Sequence, residues 1–279
     1  MKTVSALWIR NLKAFVRNKP ALIMNLIFPF FFVYVFGEIF NIGVEEVESP
    51  LAFMLAGIVI ATSFDLSFRV SSSTITDMTS GFMREVLVSP VSRLTIALGQ
   101  FISSATIAVM QGMIIYTIGL FLGFKITTPA TLLLTILCMA FVGLVFSGFG
   151  LLVATTTKNM QTFQAVTMAL VMPMTFLSGA YIPISILNNV LTYIAYFNPM
   201  TYAVMLFRTV ALEQMSLPTE QLLHMQLAIE IGDVVITPLI SALILLIFGI
   251  VFLFLSTISF VKTDFSKFSR SMSDLEDYV

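Results

Sequence analysis

Apolar residues in this chain run in long blocks and do not alternate with polar ones. Blocks at 21–40, 51–70, 96–121, 132–153, 163–182 and 236–261 are separated by short polar inserts. A helix needs about 20 apolar residues to cross about 30 Å of hydrocarbon, whereas a barrel strand is about ten residues of alternating pattern. The blocks therefore predict six transmembrane helices. The segment 1–19 has a different period. Val4, Trp8, Leu12 and Phe15 recur at helical spacing, and Arg10, Lys13 and Arg17 share another face. This predicts an amphipathic helix lying in the interface, each basic residue contributing about 1 kcal/mol against anionic lipid.

The fifth block is interrupted by Pro173, Gly179, Pro183 and Pro199. It predicts an incomplete or kinked span, followed by re-entrant short helices over 184–212 that dip into one leaflet. Asn198 would cap the second of these, with Pro199 in its first turn. Tyr181, Tyr193, Tyr196 and Tyr202 would lie at the headgroup level. A more polar stretch, 213–233, precedes the last span. A short acidic tail at 271–279 is expected to be disordered.

Composition fixes the class. The chain is 58% hydrophobic and 10% charged, against about 25% charged in soluble domains. The predicted fold is an all-α integral membrane protein, one transmembrane domain over 1–279. Charge sets its orientation: every Lys and Arg except Lys125 and Arg208 falls in segments assigned to one side, so both termini are expected in the cytoplasm. The membrane would be the plasma (inner) membrane. The run at 21–36 carries Pro29 and bulky aromatics without a small-residue cleavage site, so it is expected to stay attached. The single cysteine, Cys138, and single histidine, His224, cannot build a disulfide framework or a metal cluster.

The most informative insert is 79–100. Read as a helix, Phe82, Met83, Val86 and Leu87 share one face and Arg84 and Glu85 the other. Pro90 ends that helix, and Ser92 can cap the next. A compact helix across the mouth of two spans suits a protein contact, although an interfacial helix on lipid headgroups has the same pattern. Asp65 and Arg69, at i and i+4 near the inner end of the second span, can pair as a gate or as an interfacial salt bridge. Gln161, Gln164 and Thr167 could line a path or bond between helices. The chain has no G-x-x-x-x-G-K-[ST] phosphate loop.

The insert Gly81-Phe82-Met83-Arg84-Glu85-Val86-Leu87-Val88-Ser89-Pro90 resembles the loop between the second and third spans of type-2 ABC exporter permeases, with the daunorubicin-resistance-like branch the nearest. Phe176 to Pro183, then Asn198-Pro199-Met200-Thr201-Tyr202 and Arg208, resemble that family's stretch after its fifth span. The resemblance implies a permease subunit without catalytic, cofactor or metal residues of its own, with ATP and Mg bound by a partner. Two ABC ATPase subunits would dock on the coupling loop, 77–92, through Phe82, Met83, Arg84, Glu85, Val86 and Leu87, with Asp77 as a further polar contact. A second permease copy, forming a homodimer or a heterodimer, would complete the membrane part, and no nucleic acid is involved. Gly179, Pro183, Asn198 and Pro199 would shape the re-entrant motif. The few charges in the spans suit an amphiphilic or apolar cargo such as a drug, peptide or lipid. Rival classes are a secondary carrier, which would show inverted repeats, and a lipid-handling membrane enzyme, which would need convergent acid, base or metal groups.

Overall fold

A computed structural model describes residues 2–43, 50–80, 92–121, 128–157 and 159–263. Helix α1 (Lys2–Arg17) is followed directly by α2 (Lys19–Gly43), which covers the first apolar block as one 25-residue helix. Asn18 separates them and accepts the Ala21 N–H at 3.3 Å. Next come α3 (Pro50–Val70) and α4 (Ser72–Thr79), then α5 (Arg93–Phe121), α6 (Pro129–Thr156) and α7 (Met160–Leu177). A 3-10 turn at Ile184–Ile186 leads into α8 (Asn189–Phe197), α9 (Pro199–Ala211) and the short α10 (Thr219–His224), and α11 (Pro238–Lys262) closes the described chain.

The starts of these helices are written in short polar residues, whose side chains take an otherwise orphaned N–H. Ser92 accepts from Thr95, Thr128 from Thr131, Asn159 from Thr162 and Asn188 from Leu191, at 2.7–3.2 Å. Pro129, Pro199 and Pro238 occupy first-turn positions, where a missing N–H leaves no bond unmade.

Five described stretches are long and apolar enough to cross a membrane: 52–79, α5, α6, α7 and α11. The bent pair α8–α9 adds a sixth if it counts as one span, its two halves meeting at 81°. The second stretch is longer than its sequence suggests. α4 continues the line of α3, so the apolar helix runs 28 residues from Ala52 to Thr79.

Helix α9 lies at the centre. All of its residues from Pro199 to Ala211 are buried, and α3, α6 and α11 pack around it. Aromatic rings fill the space between α3, α6 and α7. Phe64 meets Phe146 edge-on with centroids 4.4 Å apart, and Phe68 stacks on Phe163 at 6.0 Å.

Several expectations change. The fifth block is helical only to Leu177, yet Pro173 lies inside that helix and does not end it. The tyrosines do not form one belt: Tyr193 is exposed, but Tyr202 is buried and its hydroxyl donates to the Tyr196 carbonyl at 2.5 Å. The described fold is not wholly helical. Strands β1 (Ile229–Ile231) and β2 (Val234–Ile236) pair antiparallel, Ile229 opposite Ile236. Alternating Ile-Glu-Ile before Gly-Asp is a hairpin signal, and Gly232 takes φ +62° in the tight turn.

Candidate functional site

The expected docking residues Phe82, Met83, Arg84, Glu85, Val86 and Leu87 lie outside the described residues. Their frame does not. On one side, α4 ends at Thr79, with the Ser80 N–H still donating to the Thr76 carbonyl at 2.9 Å. On the other, α5 starts at Arg93 behind its Ser92 cap. Helix α1 holds both sides. Arg10 donates from Nη1 to Asp77 Oδ1 at 3.1 Å and from Nη2 to Oδ2 at 2.6 Å, a two-point pair with 35% and 16% of the side chains exposed. Asn11, buried beside it, donates to Gln100 Oε1 at 3.1 Å. Gln100 in turn donates to Ser73 Oγ at 2.8 Å and to the Val70 carbonyl at 3.0 Å. Val70 stands at the α3–α4 junction, where a carbonyl needs an outside donor. Trp8 Nε1 donates to Thr106 at 3.0 Å, tying α1 further along α5. Arg93 bonds the carbonyls of Val261 and Thr263 at the end of α11, where a cation also meets the negative end of the helix dipole.

Two expectations are thereby corrected. Arg10 is not one of three cations facing lipid: Lys13 and Arg17 are exposed, while Arg10 turns to Asp77. Asp77 pairs within the chain and is mostly covered, because a bidentate guanidinium fits a carboxylate. Its availability to another subunit is correspondingly small.

A second polar constellation surrounds α9 at the opposite end of α3. The break between α8 and α9 frees backbone groups, and side chains of the Asn-Pro-Met-Thr-Tyr run satisfy them. Asn198 Oδ1 accepts the Met200 N–H at 3.0 Å, while its Nδ2 donates to the Met174 carbonyl at the end of α7 at 2.6 Å. Thr201 donates to the Ala195 carbonyl at 2.7 Å. Irregular backbone at membrane depth survives only when protein groups satisfy it in this way. Gly179, at φ +85°, turns the chain after α7, and Ser178 accepts the Ala180 N–H at 3.2 Å. Pro183 follows in extended conformation before the 3-10 turn.

Arg208 closes this arrangement; the sequence reading set it in the motif after the fifth span and on the outer side, without a buried role. It is 2% exposed. Its Nη2 donates to the Gly179 carbonyl at 3.0 Å, its Nε to the Phe53 carbonyl at 3.2 Å, and its guanidinium carbon sits 3.3 Å from the centre of the Phe53 ring. Among the described residues no carboxylate pairs with it. Carbonyl dipoles and a ring face replace the lost hydration of the buried cation. Gly57 makes room: a Cβ there would lie 2.1 Å from the Ala180 oxygen and 2.9 Å from Arg208 Nη2. The available signal was an arginine inside an otherwise apolar run, Ala203 to Ala211.

The third constellation lies on the flank of α3. Arg69 Nε donates to both Asp65 oxygens, at 2.9 and 2.8 Å. The pair lies in the last turns of α3, next to Val70, whose carbonyl Gln100 ties to the α1 frame. The Phe68–Phe163 stack sets the register of α7 against α3, which brings Gln161 and Gln164 to the depth of the pair. Both glutamines are exposed. Thr167 does not join them: it is buried, and its hydroxyl has no partner among the described residues. Cys138 is buried within α6, and His224 is exposed on α10. Among the described residues no group of His, Cys, Asp and Glu could hold a metal ion.

Comparison with known proteins fits this architecture. Nodulation protein J of Rhizobium leguminosarum bv. viciae is 28% identical over 220 residues, covering 75% of this chain and 82% of that protein. The candidate transport permease ycf38 of Cyanophora paradoxa is 25% identical over 202 residues, 70% of each chain. The Escherichia coli K12 protein named "Probable multidrug ABC transporter permease YbhR" is 25% identical over 160 residues, 57% of this chain and 43% of that one. The family model described as "ABC-2 type transporter" matches residues 2–212. That match takes in the α1 frame, the insert between α4 and α5, and the bent pair with Arg208. The chain belongs to the ABC-2 type transporter family, as a multi-pass membrane protein of the permease kind.

Proposed function

We propose that this chain is the membrane subunit of an ATP-driven exporter, forming the path for an amphiphilic or apolar cargo while separate ABC ATPase subunits hydrolyse ATP. The α1 end of the bundle faces the cytoplasm, as the distribution of lysine and arginine supports. The segment between α4 and α5 docks on an ATPase through Phe82, Met83, Val86 and Leu87, with Arg84 and Glu85 beside them. Two ATPases serve two permease copies, identical or paralogous, and six spans cross the membrane of each copy.

The observation that carries this reading is the frame around the insert. A segment that receives force needs stiff attachment to the spans it moves. Here α1 joins α4 through Arg10–Asp77 and α5 through Asn11–Gln100, while Arg93 joins α5 to the last helix. A push on the insert is thus delivered to α3, α5 and α11 together. Co-purification with a soluble ATPase and cargo-stimulated ATP hydrolysis test it. Val86→Asp or Leu87→Asp, placing a charge on the apolar face, should abolish stimulation while leaving the permease folded. Full stimulation in both variants would remove the docking role.

A further inference from the structure

Helix α1 has two faces with different fates. Leu7, Trp8 and Asn11 turn to α5: a Cβ on Gly99 would lie 3.2 Å from the Leu7 side chain, Trp8 bonds Thr106 and Asn11 bonds Gln100. Much of the apolar face that an interfacial helix gives to lipid is therefore spent on the bundle. What remains outward is a strip of Ile9, Lys13, Val16 and Arg17, all exposed. At 3.6 residues per turn these four fall within about 100° of the helix circumference.

Apolar surface flanks this strip on both sides. Only Asn18 separates α1 from α2, and α2 exposes Ile23, Met24, Ile27 and Phe28. On the other flank, α5 exposes Leu94, Leu98 and Ile102. In a multi-pass membrane protein, rows of bulky apolar side chains that the chain leaves uncovered suit hydrocarbon tails, which are as apolar as leucine. The charge of the strip is uncompensated. Lys13 and Arg17, at i and i+4, are neighbours of like sign, which repel unless an anion lies between them. No Asp or Glu precedes Glu38 in the chain. Asp77, the carboxylate that reaches α1, is taken by Arg10. Among the described residues, neither Lys13 nor Arg17 makes an ion pair or a side-chain hydrogen bond.

We propose that Ile9, Lys13, Val16 and Arg17 seat an anionic phospholipid, its phosphate between the two cations and its acyl chain over the two apolar residues. The lipid holds α1 from outside, as Arg10 and Asn11 hold it from inside. The anionic lipid content of the membrane then sets how firmly α1 sits on the frame around the insert. This uses the membrane class of the chain and does not depend on an ATPase partner.

Trp8 is the single tryptophan of the chain and adjoins Ile9, so its emission reports on lipid at this helix. The full-length permease is reconstituted alone in phosphatidylcholine vesicles with increasing phosphatidylglycerol, and each lipid in turn is brominated on its acyl chains to quench Trp8. Brominated phosphatidylglycerol should quench at a mole fraction about tenfold lower than brominated phosphatidylcholine. That preference should fall about fivefold in Lys13→Gln and in Arg17→Gln, the share of one basic residue near an anionic surface, and vanish in the double variant. It should also weaken in high salt. Lys262→Gln, which removes an exposed cation at the end of α11, should leave it unchanged, and so should millimolar inorganic phosphate. Equal quenching by the two lipids, or a full preference in the double variant, would overturn the proposal. So would an equal loss in Lys262→Gln, which means diffuse attraction, or displacement by inorganic phosphate, which assigns the cations to a soluble anion.

Discussion

Single residues here solve problems set by proline and by burial. Pro29 sits inside α2, so the Asn25 carbonyl lacks its donor four residues on. Gln111, 1% exposed on α5, supplies one from Nε2 at 3.1 Å. Gln111→Leu should therefore destabilise the protein by about 1–2 kcal/mol. Pro29→Ala, which restores the helical N–H, should make the same change nearly harmless. A double-mutant cycle read by thermal unfolding in detergent checks this, and additive effects would show that the two positions are independent. Arg208 is the larger case. Arg208→Gln should cost about 3 kcal/mol by stranding the Gly179 and Ala180 carbonyls. Arg208→Lys should rescue little, since an ammonium cannot reproduce the fork and the contact with the Phe53 ring. Gly57→Ala should mimic the loss, because its Cβ would occupy the place of the Ala180 oxygen.

Among elements, the bent pair and α1 differ in how they are held. The α8–α9 bend is fixed by local bonds from Asn198, Thr201 and Tyr202. Asn198 does two jobs that can be separated. Asn198→Asp keeps the cap acceptor but loses the donor to Met174, whereas Asn198→Ala loses both. The alanine variant should be less stable by about 1–2 kcal/mol from the cap alone, with aspartate different again, because it places a carboxylate against a carbonyl. Helix α1 is held from a distance, by groups 67 and 89 residues away in sequence. Its ion pair is partly exposed, so Arg10→Gln should change stability by less than about 1 kcal/mol. It should nevertheless reduce cargo-stimulated ATP hydrolysis clearly, since it detaches α1 from the flank of the insert. Asp77→Asn should do the same, and the double variant should be no worse than either alone. Wild-type stimulation in Arg10→Gln would show that α1 is not part of the linkage.

At the scale of the whole molecule, helices were legible because their signals are local. Apolar block length gave the long helices, Ser92 gave the start of α5, and Pro199 with Asn198 gave the break that structure sets at 81°. Interfacial amphipathicity of 1–19 was legible as a period, but not what the apolar face meets. Chain periodicity cannot distinguish lipid from a neighbouring helix, since both are apolar, and α1 packs on α5. Hairpin 229–236 was overlooked because its strands have three residues each, too short to outweigh a polar surrounding. Within the candidate site, Asp65 with Arg69 could be paired from i, i+4 spacing alone. The burial of Arg208 could not be read from sequence: its carbonyl partners lie 28 to 155 residues away and carry no residue-type signature. By itself, then, the sequence determined the membrane class, the helical blocks and the caps at Ser92 and Asn198, because hydrophobicity and capping act over a few residues. Only the tertiary structure decided that α9 is the buried centre, that Arg10 belongs to Asp77, and that the Arg208 guanidinium is buried against backbone carbonyls, because those outcomes depend on which backbone and side-chain groups distant segments bring within bonding distance.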